Sequence, residues 1–253
     1  MAPVLVKNVL LGEGRAKVIV PITGRTTAEL VEQAEALAAH DLDIVEWRVD
    51  YLDVALEPEA VAAAGEQVTA ALAGRPVLFT FRSQAEGGEQ AIDPATYVAL
   101  NTALLQAGLV DAVDVELHFD REAGDAVIAA AHAAGIPVVG SSHSFDTTPP
   151  ADEIVRRLVA MQERGCDVAK LAAMPQIPGD VLTLMSATWT MTAEHPATPV
   201  LTMSMAGLGL ISRMATQVVG SCATFAMVGR PSAPGQIPVE QLQPILGVID
   251  ANL

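Results

Sequence analysis

The feature that most constrains this chain is a regular alternation of apolar runs with stretches of helical spacing. The apolar runs predict strands over residues 17–23, 43–50, 76–82, 110–118, 137–143, 166–172, 199–205 and 220–227. The stretches that follow them predict helices over 26–40, 58–72, 94–107, 122–134, 151–163, 179–191, 212–218 and 239–249. About eight consecutive strand-then-helix units are typical of a (β/α)8 barrel.

The length of the chain agrees with that fold. A barrel of this kind takes about 250 residues, and the chain has 253. We therefore predict one α/β domain over residues 1–253, a (β/α)8 TIM barrel preceded by a short N-terminal β-hairpin within residues 4–12. A doubly wound open sheet is the alternative for an alternating chain. Eight units with no second domain favour a sheet that closes into a barrel over an open sheet.

Charge and composition argue against several classes of protein. The net charge of −16 argues against binding to nucleic acid and to anionic membrane surfaces. We see no apolar run that would span a bilayer and no signal peptide. The two cysteines, Cys166 and Cys222, form no CxxC motif and indicate no disulfide framework. We therefore expect a cytoplasmic protein.

One lysine lies in the middle of an apolar strand. The chain has only three lysines, Lys7, Lys17 and Lys170, and the last stands among small and apolar residues in GCDVAKLAAMP. Burial disfavours the ammonium form of an amine, and a neutral amine is a nucleophile that forms Schiff bases with carbonyl compounds. The alternative is a lysine whose ammonium reaches water from a strand end. This stretch by itself leaves both interpretations open.

Charged residues interrupt strands that should be apolar in a barrel. Residues two apart share a face of a strand. Two such groups are present, namely Glu46, Arg48 and Asp50 in EWRVD, and Asp114, Glu116 and His118 in DVELHF. The alternatives to a functional role are an internal ion pair between Glu46 and Arg48, and the support of an arginine or lysine by Glu116. We expect Asp50, Asp114 and His118 to be structural.

Cationic residues also gather where strands end. Arg82 and His143 close their strands, Arg48 lies near the end of another, and Arg213 follows a fourth. Only 14 residues of the chain are lysine or arginine, so a group of arginines at one end of a barrel predicts an anionic ligand. The guanidinium group is suited to bidentate recognition of a carboxylate. Taken alone, His143 is also compatible with a loop histidine.

Several longer stretches carry a more specific signature. They are EWRVDYL, FTFRS with EGGEQ, SSHSF with TTP, AKLAAMP, TMSMAGLGLISRM, GSCATFA and SAPGQIPVEQL. In sequence and in order they resemble the motifs of type I 3-dehydroquinate dehydratases, nearly from end to end. The resemblance implies a (β/α)8 barrel that dehydrates 3-dehydroquinate to 3-dehydroshikimate in the shikimate pathway of aromatic amino acid biosynthesis. It also implies a homodimer that uses no metal and no organic cofactor.

The resemblance also implies roles for individual residues. Lys170 would form the Schiff base, His143 would be the general acid/base, and Glu86 of AEGGEQ would assist His143. One base for both steps implies that proton and hydroxyl leave from the same side of the ring, a syn elimination. The implied substrate-binding residues are Glu46, Arg48, Arg82, Arg213, Ser232 and Gln236, with Met203, Met205 and Phe225 as apolar walls. At Pro21 some relatives carry a hydroxyl residue, so no contact is predicted there.

Three other functions fit parts of the pattern. A Schiff-base aldolase would share Lys170, but it would not need His143 together with the carboxylate-binding arginines. A metal-dependent barrel hydrolase would use the acidic residues and histidines, but it would place Arg48 and Lys170 beside the metal. A non-catalytic binding protein predicts the loss of Lys170 or His143, and both are present.

Overall fold

The computed structural model describes residues 2–253. An eight-stranded parallel sheet follows a two-stranded antiparallel hairpin. The hairpin strands are β1 (Val4–Val6) and β2 (Val9–Leu11). The sheet strands are β3 (Lys17–Ile22), β4 (Ile44–Arg48), β5 (Val77–Thr80), β6 (Ala112–Glu116), β7 (Val138–Ser144), β8 (Val168–Ala173), β9 (Val200–Ser204) and β10 (Ala223–Phe225).

The sheet curls into a nearly closed barrel. Its strands follow in the order β10, β3, β4, β5, β6, β7, β8, β9. The two ends of this order are joined by residues that precede β10. The amide of Cys222 donates to the carbonyl of Val200 at 2.8 Å, and the amide of Thr202 donates to Ser221 Oγ at 3.1 Å. The predicted (β/α)8 TIM barrel with its N-terminal hairpin is therefore confirmed.

A helix follows every strand of the barrel. The side chains of Thr26, Asp93 and Asp120 cap the first turns of α1, α3 and α4, which explains where these helices begin. Among residues 2–253, no helix has both the length and the apolar character needed to cross a bilayer. The helices are α1 (Thr27–Ala36), α2 (Pro58–Ala71), α3 (Pro94–Gln106), α4 (Arg121–Ala133), α5 (Ala151–Glu163), α6 (Pro178–Glu194), α7 (Leu210–Met214) and α8 (Val239–Asp250).

Alternation along the strands produces two apolar cores. In β4, Val45 and Trp47 pack with the larger core between sheet and helices, whereas Ile44 packs with the smaller core inside the barrel. Val6 and Leu11 of the hairpin join the smaller core, so the hairpin covers the end of the barrel where the strands begin.

Four strands, β4, β5, β6 and β10, finish two residues earlier than the sequence predicts. β4, β5 and β6 end at positions 48, 80 and 116, so the predicted strand positions of Asp50, Arg82 and His118 are wrong. The reason is clear after β4. A 310 turn over Val49–Tyr51 brings Asp50 back to Arg48, whose guanidinium donates two hydrogen bonds of 2.8 Å to it. The chain therefore forms this buried ion pair at Asp50 and does not continue the backbone hydrogen bonds of β4.

Candidate active site

A cavity opens to solvent where the barrel strands end. Its empty volume, including the part that is open to solvent, is about 690 Å³. The end of a barrel at which the strands finish is where active sites of this fold lie, so this cavity is the candidate active site. All of the residues that the sequence singles out for catalysis or binding line it: Lys170, His143, Glu86, Glu46, Arg48, Arg82, Arg213, Ser232, Gln236, Met203, Met205 and Phe225.

Lys170 lies on β8 with only 4% of its side chain exposed. Its Nζ is 3.4 Å from Oε1 of Glu46 on β4 and 3.3 Å from Oδ2 of Asp114 on β6. The same atom lies 4.7 Å from the centre of the Phe225 ring. With 4% of its surface exposed, the side chain does not extend into bulk solvent, so the alternative of a lysine that reaches water from a strand end is wrong. The expectation of apolar surroundings holds along the strand but not at the amine, where two carboxylates face it.

Arg82 binds a group of polar side chains beside Lys170. Its guanidinium donates to Asp114 Oδ1 and Glu116 Oε1 at 2.8 Å each, and to Ser141 Oγ at 2.9 Å. The interpretation that Glu116 supports an arginine is therefore confirmed. Burial alone would raise the pKa of Asp114, but the charges of Arg82 and Lys170 hold that pKa below its ordinary value. Asp114 is an anion at neutral pH.

His143 and Glu86 form a buried hydrogen-bonded pair. Nδ1 of His143 lies 2.8 Å from Oε2 of Glu86, and the amide of His143 donates to the same oxygen at 3.1 Å. Burial lowers the pKa of His143 well below its ordinary value, and nearby cationic side chains, Arg82 foremost, lower it further. The imidazole is therefore neutral at pH 7. In the tautomer that donates its Nδ1–H to Oε2 of Glu86, Nε2 carries the lone pair and can act as a base.

Glu86 is costly to ionise in the folded protein. Burial raises its pKa to about 8, although the charge of Arg82 opposes this shift. Its second oxygen, Oε1, is buried and has no hydrogen-bond partner within residues 2–253. A carboxyl group in these surroundings keeps its proton at pH values where an exposed glutamate has lost it.

We expect Glu86 to make the folded protein less stable as the pH rises toward 8. The pKa is 4.5 for an ordinary glutamate and about 8 in the fold. The folded state therefore binds an extra proton between these values, and this stabilisation is lost as the pH rises through about 8. Glu86→Gln does not titrate, so its Tm should exceed that of the wild type at pH 8 and approach it at pH 5. Exposed Glu89→Gln is the control, and a difference independent of pH would contradict this account.

Arg213 is a buried cation without a carboxylate partner among residues 2–253. It is 1% exposed. Nη2 donates to the carbonyl of Pro234 at 3.1 Å, Nη1 lies 3.6 Å from Sδ of Met203, and Nε has no partner in the described chain. Burial lowers the pKa of Arg213 to about 10. A buried guanidinium that borders a cavity and lacks a counter-ion is suited to bind a carboxylate.

Arg48 has its counter-ion inside the protein. The bidentate partner is Asp50, so the alternative of an ion pair with Glu46 is wrong. Glu46 instead accepts from Lys170 and from Oγ1 of Thr80 at 3.1 Å. No three His, Cys, Asp or Glu side chains of residues 2–253 are grouped so that they could hold a metal ion. Glu46 and Asp50 instead have cationic partners within the protein, Lys170 and Arg48.

The loop between β10 and α8 forms one side of the cavity. The amide of Ser232 donates to Oε1 of Gln236 at 2.8 Å, and Nε2 of Gln236 donates to Ser232 Oγ at 3.1 Å. The carbonyl of Pro234 accepts from the amide of Ala206 and from Arg213, at 3.1 Å each. These bonds fasten the loop to the segment after β9 and place its polar groups at the cavity.

Sequence reasoning did not predict the contact between Asp114 and Lys170, and it missed Phe145. Asp114 was expected to be structural, although it shares a strand face with Glu116. Its contact with Lys170 depends on two strands that are remote in sequence, which spacing does not report. The ring of Phe145 stacks on His143 with centroids 6.1 Å apart and borders the cavity. Its position two residues after His143 was the available signal.

The type I 3-dehydroquinase family model matches residues 18–252. This range covers the whole barrel except Lys17, the first residue of β3. The chain belongs to this family. It is therefore an enzyme, a 3-dehydroquinate dehydratase. The match confirms the resemblance seen in the motifs. It leaves the aldolase, the hydrolase and the non-catalytic binding protein without support.

Curated relatives of this 3-dehydroquinase match over nearly their whole length. The chain is 44% identical over 250 residues to a 3-dehydroquinate dehydratase of Bacillus licheniformis, covering 99% of this chain and 98% of the relative. It is 48% identical over 250 residues to a 3-dehydroquinate dehydratase of Listeria monocytogenes, covering 98% of each. The similarity therefore includes the hairpin as well as the barrel.

Solved structures of the family share the fold from end to end. The type I 3-dehydroquinate dehydratase of Clostridium difficile with covalently modified comenic acid has a TM-score of 0.96 at 40% identity, covering 100% of this chain and 99% of the other. The 3-dehydroquinate dehydratase of Enterococcus faecalis has a TM-score of 0.91 at 41% identity, covering 97% and 99%. The barrel of this 3-dehydroquinase is thus the barrel of its family.

Proposed function

We propose that this enzyme converts 3-dehydroquinate into 3-dehydroshikimate by syn elimination of water through a Schiff base on Lys170, with His143 as general acid/base. We propose that it serves the shikimate pathway of aromatic amino acid biosynthesis. The observation that carries the mechanism is that a buried lysine and a neutral histidine line the same cavity. The proposed reaction uses no metal and no organic cofactor.

Lys170 supplies the nucleophile of the first step. The substrate is a cyclic β-hydroxy ketone that carries a carboxylate. Once the ammonium of Lys170 has given up one proton, the lone pair of Nζ attacks the ketone carbon and the carbonyl electron pair moves to oxygen. That oxygen leaves as water after it has gained the released proton and a second proton from the nitrogen. The iminium that results withdraws electrons more strongly than the ketone. The neighbouring C–H bond therefore becomes acidic enough for a histidine to remove its proton.

His143 moves the protons of the elimination. Its Nε2 takes the proton beside the iminium, and the electron pair passes into an enamine. The enamine then expels the β-hydroxyl group, which His143 protonates as it leaves as water. Glu86, 2.8 Å from Nδ1, fixes the orientation and the tautomer of the ring. Water then hydrolyses the product iminium and restores the amine of Lys170.

The remaining residues of the cavity are proposed to bind the ring and its substituents. Arg213 binds the carboxylate, because it is the buried arginine of this cavity that has no carboxylate partner in the described part of the chain. The hydroxyl groups are bound by Glu46, Arg48, Ser232 and Gln236, and Arg82 contributes from beside them. The ring lies between the apolar walls formed by Met203, Met205 and Phe225.

We expect Arg213→Lys to weaken substrate binding. Lysine keeps the positive charge but lacks the planar fork that binds a carboxylate through two hydrogen bonds. A hydrogen bond to a charged group contributes about 1.5–3 kcal/mol, so KM should rise by roughly 10- to 100-fold, with a smaller effect on kcat. Exposed Arg230→Lys in the adjoining loop is the matched control. An unchanged KM in Arg213→Lys would count against the anchor.

The proposed activity has a direct optical test. The product contains a conjugated enone, so incubation of the enzyme with 3-dehydroquinate should produce a growing ultraviolet absorbance. A chelator should leave the rate unchanged. No enone signal would contradict the proposed reaction, and a rate abolished by the chelator would contradict its independence from metal.

We further propose that the enzyme is a cytoplasmic homodimer. Both cysteines are free and buried, which suits a reducing compartment. Leu182 and Trp189 on α6, with Ile211 and Val218 on α7 and the 310 turn after it, are between 47% and 67% exposed. A hydrogen bond joins α6 to that turn, so these side chains belong to neighbouring elements. Exposed apolar surface that includes tryptophan is typical of a protein interface.

Trp189→Lys should convert the proposed dimer into a monomer. A lysine in the centre of an apolar interface would have to lose its hydration without gaining a partner. Sedimentation velocity measures the change in mass. Val248→Lys, which alters an equally exposed apolar residue on α8, should sediment as the wild type does. A Trp189→Lys variant that remains a dimer would exclude this surface, and a monomeric wild type would exclude the homodimer.

A further inference from the structure

Asp114 is a buried carboxylate that touches the reactive amine from outside the cavity. Its Oδ2 lies 3.3 Å from Nζ of Lys170, yet Asp114 is not among the residues that line the cavity. We propose that Asp114 is a further catalytic residue, the permanent counter-ion of the positively charged nitrogen of Lys170 throughout the Schiff-base chemistry. This inference rests on the proposed role of Lys170.

The contacts of Asp114 hold its carboxylate in one place. Oδ1 accepts from Nη2 of Arg82 at 2.8 Å and from Oγ of Ser141 at 2.7 Å, which leaves Oδ2 directed at the amine. Its backbone carbonyl accepts from the hydroxyl of Tyr97 at 3.1 Å. The side chain is fully buried. A carboxylate fixed by separate donors on one oxygen cannot turn away from the lysine without losing them.

Glu46 has a different relation to the amine. Its Oε1 lies 3.4 Å from Nζ of Lys170, but Glu46 is part of the cavity wall. A hydroxyl group of a bound ring can therefore compete with the amine for Glu46. No substrate group can reach Asp114 in the same way. Asp114 is thus the carboxylate that stays with the nitrogen when the site is filled.

The charge on the nitrogen explains what this counter-ion does. The ammonium of Lys170 and the ketone give an iminium and one molecule of water, so the nitrogen carries one positive charge before and after the step. An anion within about 4–6 Å favours the charged form of a cationic group and raises its pKa by roughly one to three units. Asp114 therefore keeps the proton on the iminium, and only the protonated iminium withdraws electrons strongly enough for elimination.

Other charged groups around this nitrogen act less directly. Arg82, after β5, carries a positive charge but is bound to Asp114 and Glu116. Glu116 lies on the same strand face as Asp114 and is bound to Arg82 and to Ser83, with no contact to Lys170. His143 is neutral. Glu116 is thus a matched control, since its loss removes one negative charge from the same strand and the same arginine.

Reductive trapping at a series of pH values tests the proposal. Cyanoborohydride reduces the protonated iminium and not the neutral imine, so labelling of Lys170 by 3-dehydroquinate should fall at high pH as the iminium loses its proton. We expect the decline in Asp114→Asn to occur at a pH that is lower by about one unit or more. At a pH within the shifted range, labelling should be about tenfold lower than in the wild type. Glu116→Gln should leave the decline in place, and Asp114→Glu should restore it.

Each outcome bears on one claim. A decline at the same pH in Asp114→Asn and in the wild type would overturn the counter-ion role, as would an equal shift in Glu116→Gln. If Asp114→Asn does not fold, the double variant Arg82→Gln/Asp114→Asn removes both charges of the ion pair, and its shift is measured against Arg82→Gln alone. A wild type that shows no labelling of Lys170 would instead contradict the proposed function.

Discussion

Lys170→Ala should abolish both turnover and covalent capture of the substrate. Without the amine no iminium forms, and the ketone alone activates the neighbouring C–H bond too weakly for His143. We expect kcat to fall by a factor on the order of 10⁴ or more, as happens when a covalent nucleophile is removed. Steady-state rates and mass spectrometry after borohydride reduction measure the two losses together.

The same substitution should also reduce stability. Removing the ammonium leaves the carboxylates of Glu46 and Asp114 buried without the cation that faces both of them. Breaking a buried ion pair from one side costs about 3–5 kcal/mol, so Tm should fall, and rates must be compared below it. Lys17→Ala, at the opposite end of the barrel, should keep its activity. Retained turnover in a folded Lys170→Ala variant would exclude the Schiff base.

His143→Ala should separate the two chemical steps. The amine of Lys170 is intact in this variant, so the iminium still forms and borohydride still labels the enzyme. Elimination lacks its base, and proton transfer by a placed side chain contributes about 10²- to 10⁴-fold. We therefore expect kcat to fall by that factor while labelling persists, as measured by steady-state kinetics beside reductive trapping.

A second histidine provides the control for this experiment. His118 lies just after β6, at the same end of the barrel, but outside the cavity that contains Lys170. His118→Ala should therefore keep near-normal turnover. Near-normal turnover in His143→Ala would show that this residue is not the base, and loss of labelling would show that it is needed before elimination.

The barrel could be predicted because strands and helices each leave a pattern within a short stretch of sequence. Alternating apolar residues predict strands and helical spacing predicts the segments between them, so the order of the elements follows from the sequence directly. The ends of four strands could not be predicted in the same way. Asp50 leaves the strand because its carboxylate is held by Arg48 and accepts from the amide of Arg82 at 3.3 Å. The second of these contacts comes from a residue that follows a different strand, β5, and spacing along β4 does not report it.

The candidate site shows the same division. Positions at strand ends and the family motifs predicted which side chains gather at one cavity, and the structure places them there. Their partners were not predictable, because parallel strands that pair in space are far apart in sequence. Only the structure shows that Arg48 has an internal counter-ion, that Arg213 has none within residues 2–253, and that Asp114 faces Lys170.

The central claim is that Lys170 forms an imine with substrate or product. Borohydride added together with 3-dehydroquinate, followed by proteolysis and mass spectrometry, locates the attachment. The account predicts a single ligand-sized mass on the peptide that contains Lys170, and none when the substrate is omitted. Attachment at Lys7 or Lys17 instead, or no attachment under conditions in which the enzyme turns over, would contradict it.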